Sequence, residues 1–152
     1  MVFVGSAFDL PRACLSLEKA RCKDAASQIL WNWLLQHIRL SESHAAIHNI
    51  FNKDCVAVFY DINSDGVDEI LGTHYASALN GNGECLLYVL QKVGDGEYKE
   101  ITGEEVYFNV QKPICILLKQ RDGYKNFQVY SDSKNDDITY SYNHSKHLYF
   151  KK

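Results

Sequence analysis

The spacing of apolar residues changes near residue 52, and the two parts of the chain predict different secondary structure. From Pro11 to about Leu40, apolar side chains recur every three or four residues, the period of a helix with one buried face. Their positions are Leu17, Ala20, Ile29, Leu30, Trp33, Leu34 and Ile38. Asp9 precedes Pro11, and a capping residue followed by proline in the first turn is typical of the start of a helix. Asp9 is therefore suited to cap this helix. A second, short helix is predicted over residues 43–51.

After residue 52, short apolar or alternating runs are separated by turn residues, a pattern typical of β-strands. The predicted strands are Cys55–Tyr60, Glu69–Ala76, Cys85–Lys92, Tyr98–Thr102, Val106–Val110, Ile114–Gln120, Tyr124–Tyr130, Ile138–Tyr142 and Leu148–Phe150. Consecutive strands joined by short loops predict an antiparallel meander. We therefore expect an α+β fold with N-terminal helices packed on an antiparallel β-meander sheet. It would form a single domain over 1–152, with a helical segment at 1–52 and a β segment at 53–152.

The net charge of the 152-residue chain, 16 − 19 = −3, conceals an uneven distribution. Residues 1–60 carry six basic and five acidic side chains (+1), residues 61–105 two basic and ten acidic (−8), and residues 106–152 eight basic and four acidic (+4). The acidic 61–105 segment would repel phosphates, so nucleic acid is not an expected partner. It suits a cation or a basic protein surface, and the alternative is a solvated acidic face with no ligand.

Composition is that of an ordinary globular protein, with 46% hydrophobic and 23% charged residues, which excludes a disordered chain. No apolar run reaches the roughly 18 residues of a transmembrane helix, so no transmembrane segment is expected. Residues 1–8 lack the basic start of a signal peptide. The chain is therefore either cytoplasmic or an exported protein whose signal has been removed.

The five cysteines include no CxxC pair of the kind that binds zinc. An exported protein would be expected to form one or two disulfides from them. Cys14 and Cys22 are the first candidates because they are close in sequence. The chain would have to turn between them, since eight residues of straight helix rise by about 12 Å, beyond the reach of a disulfide.

The segment from Val56 to Leu71 contains a strand, the pattern D-x-N-x-D-G-x-x-E, and a second strand. Alternate oxygen-bearing side chains in such a loop converge on one point, and Gly66 permits the reversal. The predicted metal ligands are the side chains of Asp61, Asn63, Asp65 and Glu69 and the carbonyl oxygen of Val67. Oxygen ligands in a flexible loop are what Ca²⁺ prefers, whereas Mg²⁺ requires tighter octahedral geometry. The loop is not an EF-hand, because position 12 is Gly72 rather than Glu; the alternative interpretation is an Asx-rich turn.

This loop resembles the FG-GAP or VCBS-type calcium loop, which lies between two strands of a β-propeller blade. It occurs once, so the repeats of a propeller are absent. A looser resemblance, over about residues 55–130, is to small exported bacterial proteins with a single such loop, a Gly/Cys-containing turn (Gly81-Asn-Gly-Glu-Cys85) and a hairpin beginning Gly96-Glu-Tyr. The resemblance implies a periplasmic or secreted location. Some of these proteins resemble inhibitors or immunity proteins that act on cell-envelope enzymes.

Three other candidates have simpler explanations. His44 and His48 have the i, i+4 spacing of zinc ligands, but the Glu of H-E-x-x-H is absent, which favours exposed helix residues. His144 and His147 are expected in a loop. Cys85 begins a predicted strand beside an acidic residue, which favours a structural thiol or disulfide over a nucleophile.

The sequence therefore predicts a non-catalytic binding protein with a structural Ca²⁺-type loop, and not an enzyme. The resemblance adds the expectation of an inhibitor or immunity-type protein acting on a cell-envelope enzyme. A protein partner would bind the acidic 61–105 surface. The alternative is a small hydrolase or other envelope enzyme, but the loop carboxylates are too crowded to flank a substrate as glycosidase carboxylates do.

Overall fold

The computed structural model describes residues 11–37, 54–74 and 84–152. These ranges contain one α-helix, α1 (Ala25–His37), a 3-10 turn at Leu17–Lys19, and eleven strands in three antiparallel sheets. The described part of the chain is therefore mostly β-structure. No helix within it has the length and apolar character needed to cross a membrane.

Each sheet has its own set of strands. The five-stranded sheet has the order β1 (Pro11–Leu15), β8 (Ile114–Arg121), β9 (Tyr124–Ser131), β10 (Asp136–Asn143) and β11 (Leu148–Lys151). The four-stranded sheet has the order β2 (Cys55–Tyr60), β3 (Glu69–His74), β5 (Tyr88–Gly94) and β6 (Glu97–Glu100). A two-stranded sheet pairs β4 (Glu84–Leu86) with β7 (Tyr107–Asn109).

Strands β2 and β3 of the four-stranded sheet carry consecutive buried residues, and successive strand residues point to opposite faces, so both faces are buried there. Val56 and Leu71 belong to a core that includes the inner face of the five-stranded sheet. Their neighbours Ala57 and Ile70 belong to a second core with Leu30 of α1. The described elements therefore form layers, with α1 on one side of the four-stranded sheet and the five-stranded sheet on the other.

Gly72 on β3 packs directly against Leu30 of α1. A Cβ atom at this position would lie 2.5 Å from the Cβ of Ala57 and 2.7 Å from Cδ2 of Leu30. Real carbon atoms do not approach so closely, so glycine is required for the helix and the sheet to pack at this distance. On the helix side, the hydroxyl of Ser27 accepts a 2.8 Å hydrogen bond from the backbone N–H of Ala57.

The expected fold class, N-terminal helices packed on one β-meander sheet, is wrong. The strands of the four-stranded sheet carry apolar residues on both faces, and one helical layer covers only one of them. The five-stranded sheet covers the other face. The prediction that the N-terminal helix begins at Pro11 is also wrong, because Pro11–Leu15 forms β1 and pairs with β8.

The expected Cys14–Cys22 disulfide is likewise wrong. Cys14 is bonded to Cys115, and Cys22, Cys55 and Cys85 form no disulfide. The antiparallel register places Cys14 directly opposite Cys115, with their Cα atoms 4.1 Å apart. Pairing of β1 with β8 therefore brings together two cysteines that are 101 residues apart in sequence.

From β2 onward, the predicted strands are confirmed to within a few residues wherever the structure describes them. The exception is the predicted strand 85–92, which is divided at Leu87. The backbone N–H of Leu87 donates to the carbonyl of Val106, and β4 turns away to pair with β7. The predicted helix 43–51, with His44 and His48, and the predicted cap Asp9 lie outside the described residues.

Candidate functional site

The 61–69 loop joins β2 to β3, and its ends are held together by the antiparallel pairing of Tyr60 with Glu69. Two residues inside the loop have positive φ angles, Ser64 at 59° and Gly66 at 86°. Glycine adopts this left-handed conformation without steric cost, which explains the position of Gly66. The loop therefore reverses direction over a few residues, as its sequence predicts.

Backbone N–H groups hold two of the loop carboxylates in place. The side chain of Asp61 accepts a 2.9 Å hydrogen bond from the N–H of Gly66 and a 3.2 Å bond from the N–H of Asp65. Asp65 in turn accepts a 2.9 Å bond from the N–H of Val67. Asn63 lies beside Asp65, and its amide donates to Asp65 Oδ2 at 3.2 Å. These bonds fix the carboxylates around the inside of the turn.

Glu69 is the buried member of the group, with 1% of its surface exposed. Its Oε1 accepts a 2.8 Å hydrogen bond from the N–H of Ile62, and its Oε2 is buried with no hydrogen-bond partner among the described residues. Burial raises the pKa of Glu69 to about 7, and the negative charges of Asp65 and Asp61 add to this effect. A buried carboxylate oxygen without a partner is costly, so it requires an explanation.

The carboxylates of Asp61, Asp65 and Glu69 converge. Each offers an oxygen, and these oxygens all lie within 4.8 Å of one another. Calcium–oxygen distances are about 2.3–2.6 Å, so two ligands of one ion are at most roughly 5 Å apart. The three oxygens are therefore close enough to one another to be ligands of one cation.

The predicted ligands differ in position and in burial. Asp61, Asp65 and Glu69 come together, and Asn63 joins them through its contact with Asp65. The side chain of Val67 is 45% exposed, and only its backbone carbonyl has ligand chemistry. Asp61 and Asn63 are half-buried and Asp65 is exposed, so the group extends from the core to the surface of the loop.

Lys125 on β9 also contacts this loop, although no pattern in the sequence indicates it. Its side chain is 5% exposed and donates a hydrogen bond to the hydroxyl of Ser64, and its backbone N–H donates to the carbonyl of Ile62 at 3.0 Å. These bonds attach the loop to the five-stranded sheet. Ser64 and Lys125 are 61 residues apart, so no local spacing signals the contact.

The surroundings of the cysteine and histidine candidates favour structural roles for them. Burial raises the pKa of the Cys55 thiol to about 12 and also raises that of Cys85, so both are held as unreactive thiols. The expectation that Cys85 is structural agrees with its 1% exposure. His144 and His147 lie in the turn between β10 and β11, as predicted.

The pKa of Glu69 leads to a prediction about pH. In a metal-free buffer, the free energy of unfolding should fall as the pH rises from about 4 to about 7. Over this range folded Glu69 retains its proton while the unfolded chain has lost it, so raising the pH favours unfolding. Urea unfolding of the native protein and of Glu69→Gln, each in chelator at several pH values, measures the effect. The two should differ in slope; equal slopes would contradict the assignment to Glu69.

Comparison with known proteins supplies no relative. No family model, curated protein or solved structure matches the chain.

Proposed function

We propose that the chain is a non-catalytic binding protein whose 61–69 loop binds Ca²⁺. The observation that carries this proposal is Glu69, a buried carboxylate with one oxygen that lacks a hydrogen-bond partner, in a group with Asp61 and Asp65. A divalent cation would satisfy that oxygen and offset the repulsion among the three carboxylates. An Asx-rich turn alone explains the hydrogen bonds of Asp61 and Asp65 but not the burial of Glu69.

The residues of the loop would divide the task. Asp61, Asn63 and Asp65 would supply side-chain oxygens from the turn, Val67 its carbonyl, and Glu69 an oxygen from the start of β3. Binding would then connect the two ends of the β2–β3 hairpin, which is a structural role. Ca²⁺ suits this flexible set of oxygens better than Mg²⁺, which retains water and requires near-ideal octahedral geometry.

Calcium should raise the melting temperature. An ion bound only by the folded state stabilises it by about 2.7 kcal/mol at a hundredfold excess over its Kd. For a chain of this length, we expect a shift of roughly 5–10 °C in differential scanning calorimetry between chelator and excess Ca²⁺. Isothermal titration calorimetry of the same protein should give a stoichiometry of about one ion per chain.

The loop offers a matched pair of variants. Asp65→Asn should reduce the calcium-dependent shift, because it removes the charge of a predicted ligand while keeping an oxygen. Asp68→Asn makes the same change in an exposed residue of the loop that is outside the predicted ligand set, and should retain the shift. If Ca²⁺ leaves the melting temperature of the native protein unchanged and calorimetry detects no heat of binding, the loop is only a turn and the proposal fails.

The wider role is proposed on fewer observations. The Cys14–Cys115 disulfide supports export to an oxidising compartment, the periplasm or the extracellular space. A protein partner would bind the carboxylates of the 61–105 segment that reach the surface, since the structure buries Glu69 and Glu84. The exposed carboxylates outside the predicted ligand set are Asp68, Asp95, Glu97, Glu104 and Glu105. The inhibitor or immunity role implied by the resemblance stays a prediction.

A further inference from the structure

A polar cavity lies across β8, β9, β10 and β11 of the five-stranded sheet. Its volume is about 380 Å³, the size of a small-ligand site. Asn126, Ser141 and Phe150 line it, and they alternate with core residues such as Phe127 and Tyr149. Because neighbouring strand residues point to opposite faces, the cavity opens on the outer face of the sheet, away from the core.

The cavity is strongly basic. Lys119 and Arg121 line it from β8, and Lys151 and Lys152 line it from the C-terminal strand and the residue that follows. No Asp or Glu side chain is among the described residues that form its lining. The nearby carboxylate of Glu104 is bonded to the backbone N–H of Lys151 at 2.9 Å. The lining therefore favours an anion.

The cations line the cavity from two strands that are not neighbours in the sheet. β8 and β11 are separated by three steps between strands, or about 14 Å. A ligand with anionic groups at two ends would contact both, with its middle over β9 and β10.

The floor of the cavity has the chemistry to bind hydroxyl groups. Asn126 is 2% exposed, and its Oδ1 has no hydrogen-bond partner among the described residues. Rotation about χ2 exchanges Oδ1 and Nδ2, so this amide can turn either an acceptor or a donor toward a ligand. Ser141 adds a hydroxyl, and Phe150 gives the wall an apolar part. A buried amide oxygen without a partner beside a polar cavity suits a ligand hydroxyl, which can donate to it.

We propose that this cavity binds an anionic saccharide, a sugar with acidic groups at two ends. The acidic groups would contact Lys119 and Arg121 on one side and Lys151 and Lys152 on the other. The sugar hydroxyls would bind the amide of Asn126 and the hydroxyl of Ser141. This site is separate from the 61–69 loop, so its test does not depend on calcium.

The test uses glucose 1,6-bisphosphate as the probe, titrated into the intact protein in chelator and followed by calorimetry. Glucose and inorganic phosphate serve as the two halves of the probe. We expect the bisphosphate to bind and each half to bind at least about tenfold more weakly, because neither makes all of the contacts. No binding of the bisphosphate, or equal binding of inorganic phosphate, would overturn the proposal. Tighter binding of a single-stranded oligonucleotide would assign the cavity to nucleic acid instead and would also overturn it.

Charge-neutralising variants locate the binding. Arg121→Gln and Lys151→Gln should each weaken binding of the bisphosphate by about ten- to hundredfold, the contribution expected of one charge-assisted hydrogen bond. Lys134→Gln makes the same change in an exposed residue of the β9–β10 turn and should leave the affinity unchanged. These side chains are not in the core, so thermal melting should show each variant folded. An equal loss in Lys134→Gln would mean that the binding follows net charge, and the assignment to the cavity would be wrong.

Discussion

Replacement of Cys14 and Cys115 by serine is expected to lower the free energy of unfolding by about 4–5 kcal/mol. The bond joins residues 101 apart, and a covalent loop of that length restricts the unfolded chain strongly. The substitutions remove little native packing, because Cys14 is exposed and Cys115 is half-buried. Urea unfolding of the variant and of the native protein, each without reductant, measures the difference.

Two controls separate the bond from the loss of a thiol. Cys22→Ser removes a free cysteine and should leave the free energy of unfolding unchanged within about 0.5 kcal/mol. In the native protein, dithiothreitol should produce the same loss as the double variant. Denatured, unreduced protein should expose three thiols of its five cysteines. Five reactive thiols in material from an oxidising compartment would contradict the bond and would weaken the proposal of export.

Tyr149→Ala should be the most damaging single truncation in the five-stranded sheet, with a loss of about 3–5 kcal/mol. Tyr149 is fully buried, and its ring contacts those of Tyr124, Tyr142 and Phe127 at centroid distances of 5.0–6.2 Å. Its hydroxyl donates to the carbonyl of Lys125 at 2.7 Å. Alanine would therefore leave a cavity and an unsatisfied carbonyl beside the segment that attaches the 61–69 loop.

A conservative variant separates the contribution of the ring from that of the hydrogen bond. Tyr149→Phe keeps the ring and removes only the hydrogen bond, so about 1–3 kcal/mol should be lost. Tyr107→Ala, at a half-buried tyrosine whose hydroxyl bonds to exposed Glu105, should cost about 1 kcal/mol or less. Chemical unfolding of the three variants gives the comparison. A loss below about 1 kcal/mol for Tyr149→Ala would contradict the packing described for this ring.

Turn chemistry explains why most strands could be predicted from the sequence. Gly66, Gly96 and Gly123 all have positive φ angles and lie at the reversals that the sequence indicates. Such turns depend on a few adjacent residues, so they are readable locally. The convergence of Asp61, Asp65 and Glu69 could be predicted for the same reason, since it follows from spacing within nine residues of chain.

The failures concern contacts between distant segments. Residues 11–15 form a strand because β8 pairs with them, and nothing within those five residues indicates this partner. The layer arrangement was missed because an apolar run such as Cys55–Tyr60 does not show whether a helix or a sheet covers each face. Lys125 was missed as a support of the 61–69 loop because its contacts depend on how the two sheets are packed.

The Cys14–Cys115 bond also determines how the molecule would carry a mechanical load. If the chain is pulled at residues 11 and 152, the Cys14–Cys115 bond transmits the force from β1 directly to β8. The hydrogen bonds between strands would break before this covalent bond. Of the strands, only β8 to β11 would then separate. The chain could extend only by the length of residues 11–14 and 115–152, the part that bears the force. Helix α1, the four-stranded sheet and the 61–69 loop all lie within the closed covalent ring. They would bear no tension while the disulfide is intact, and reduction would expose them to it.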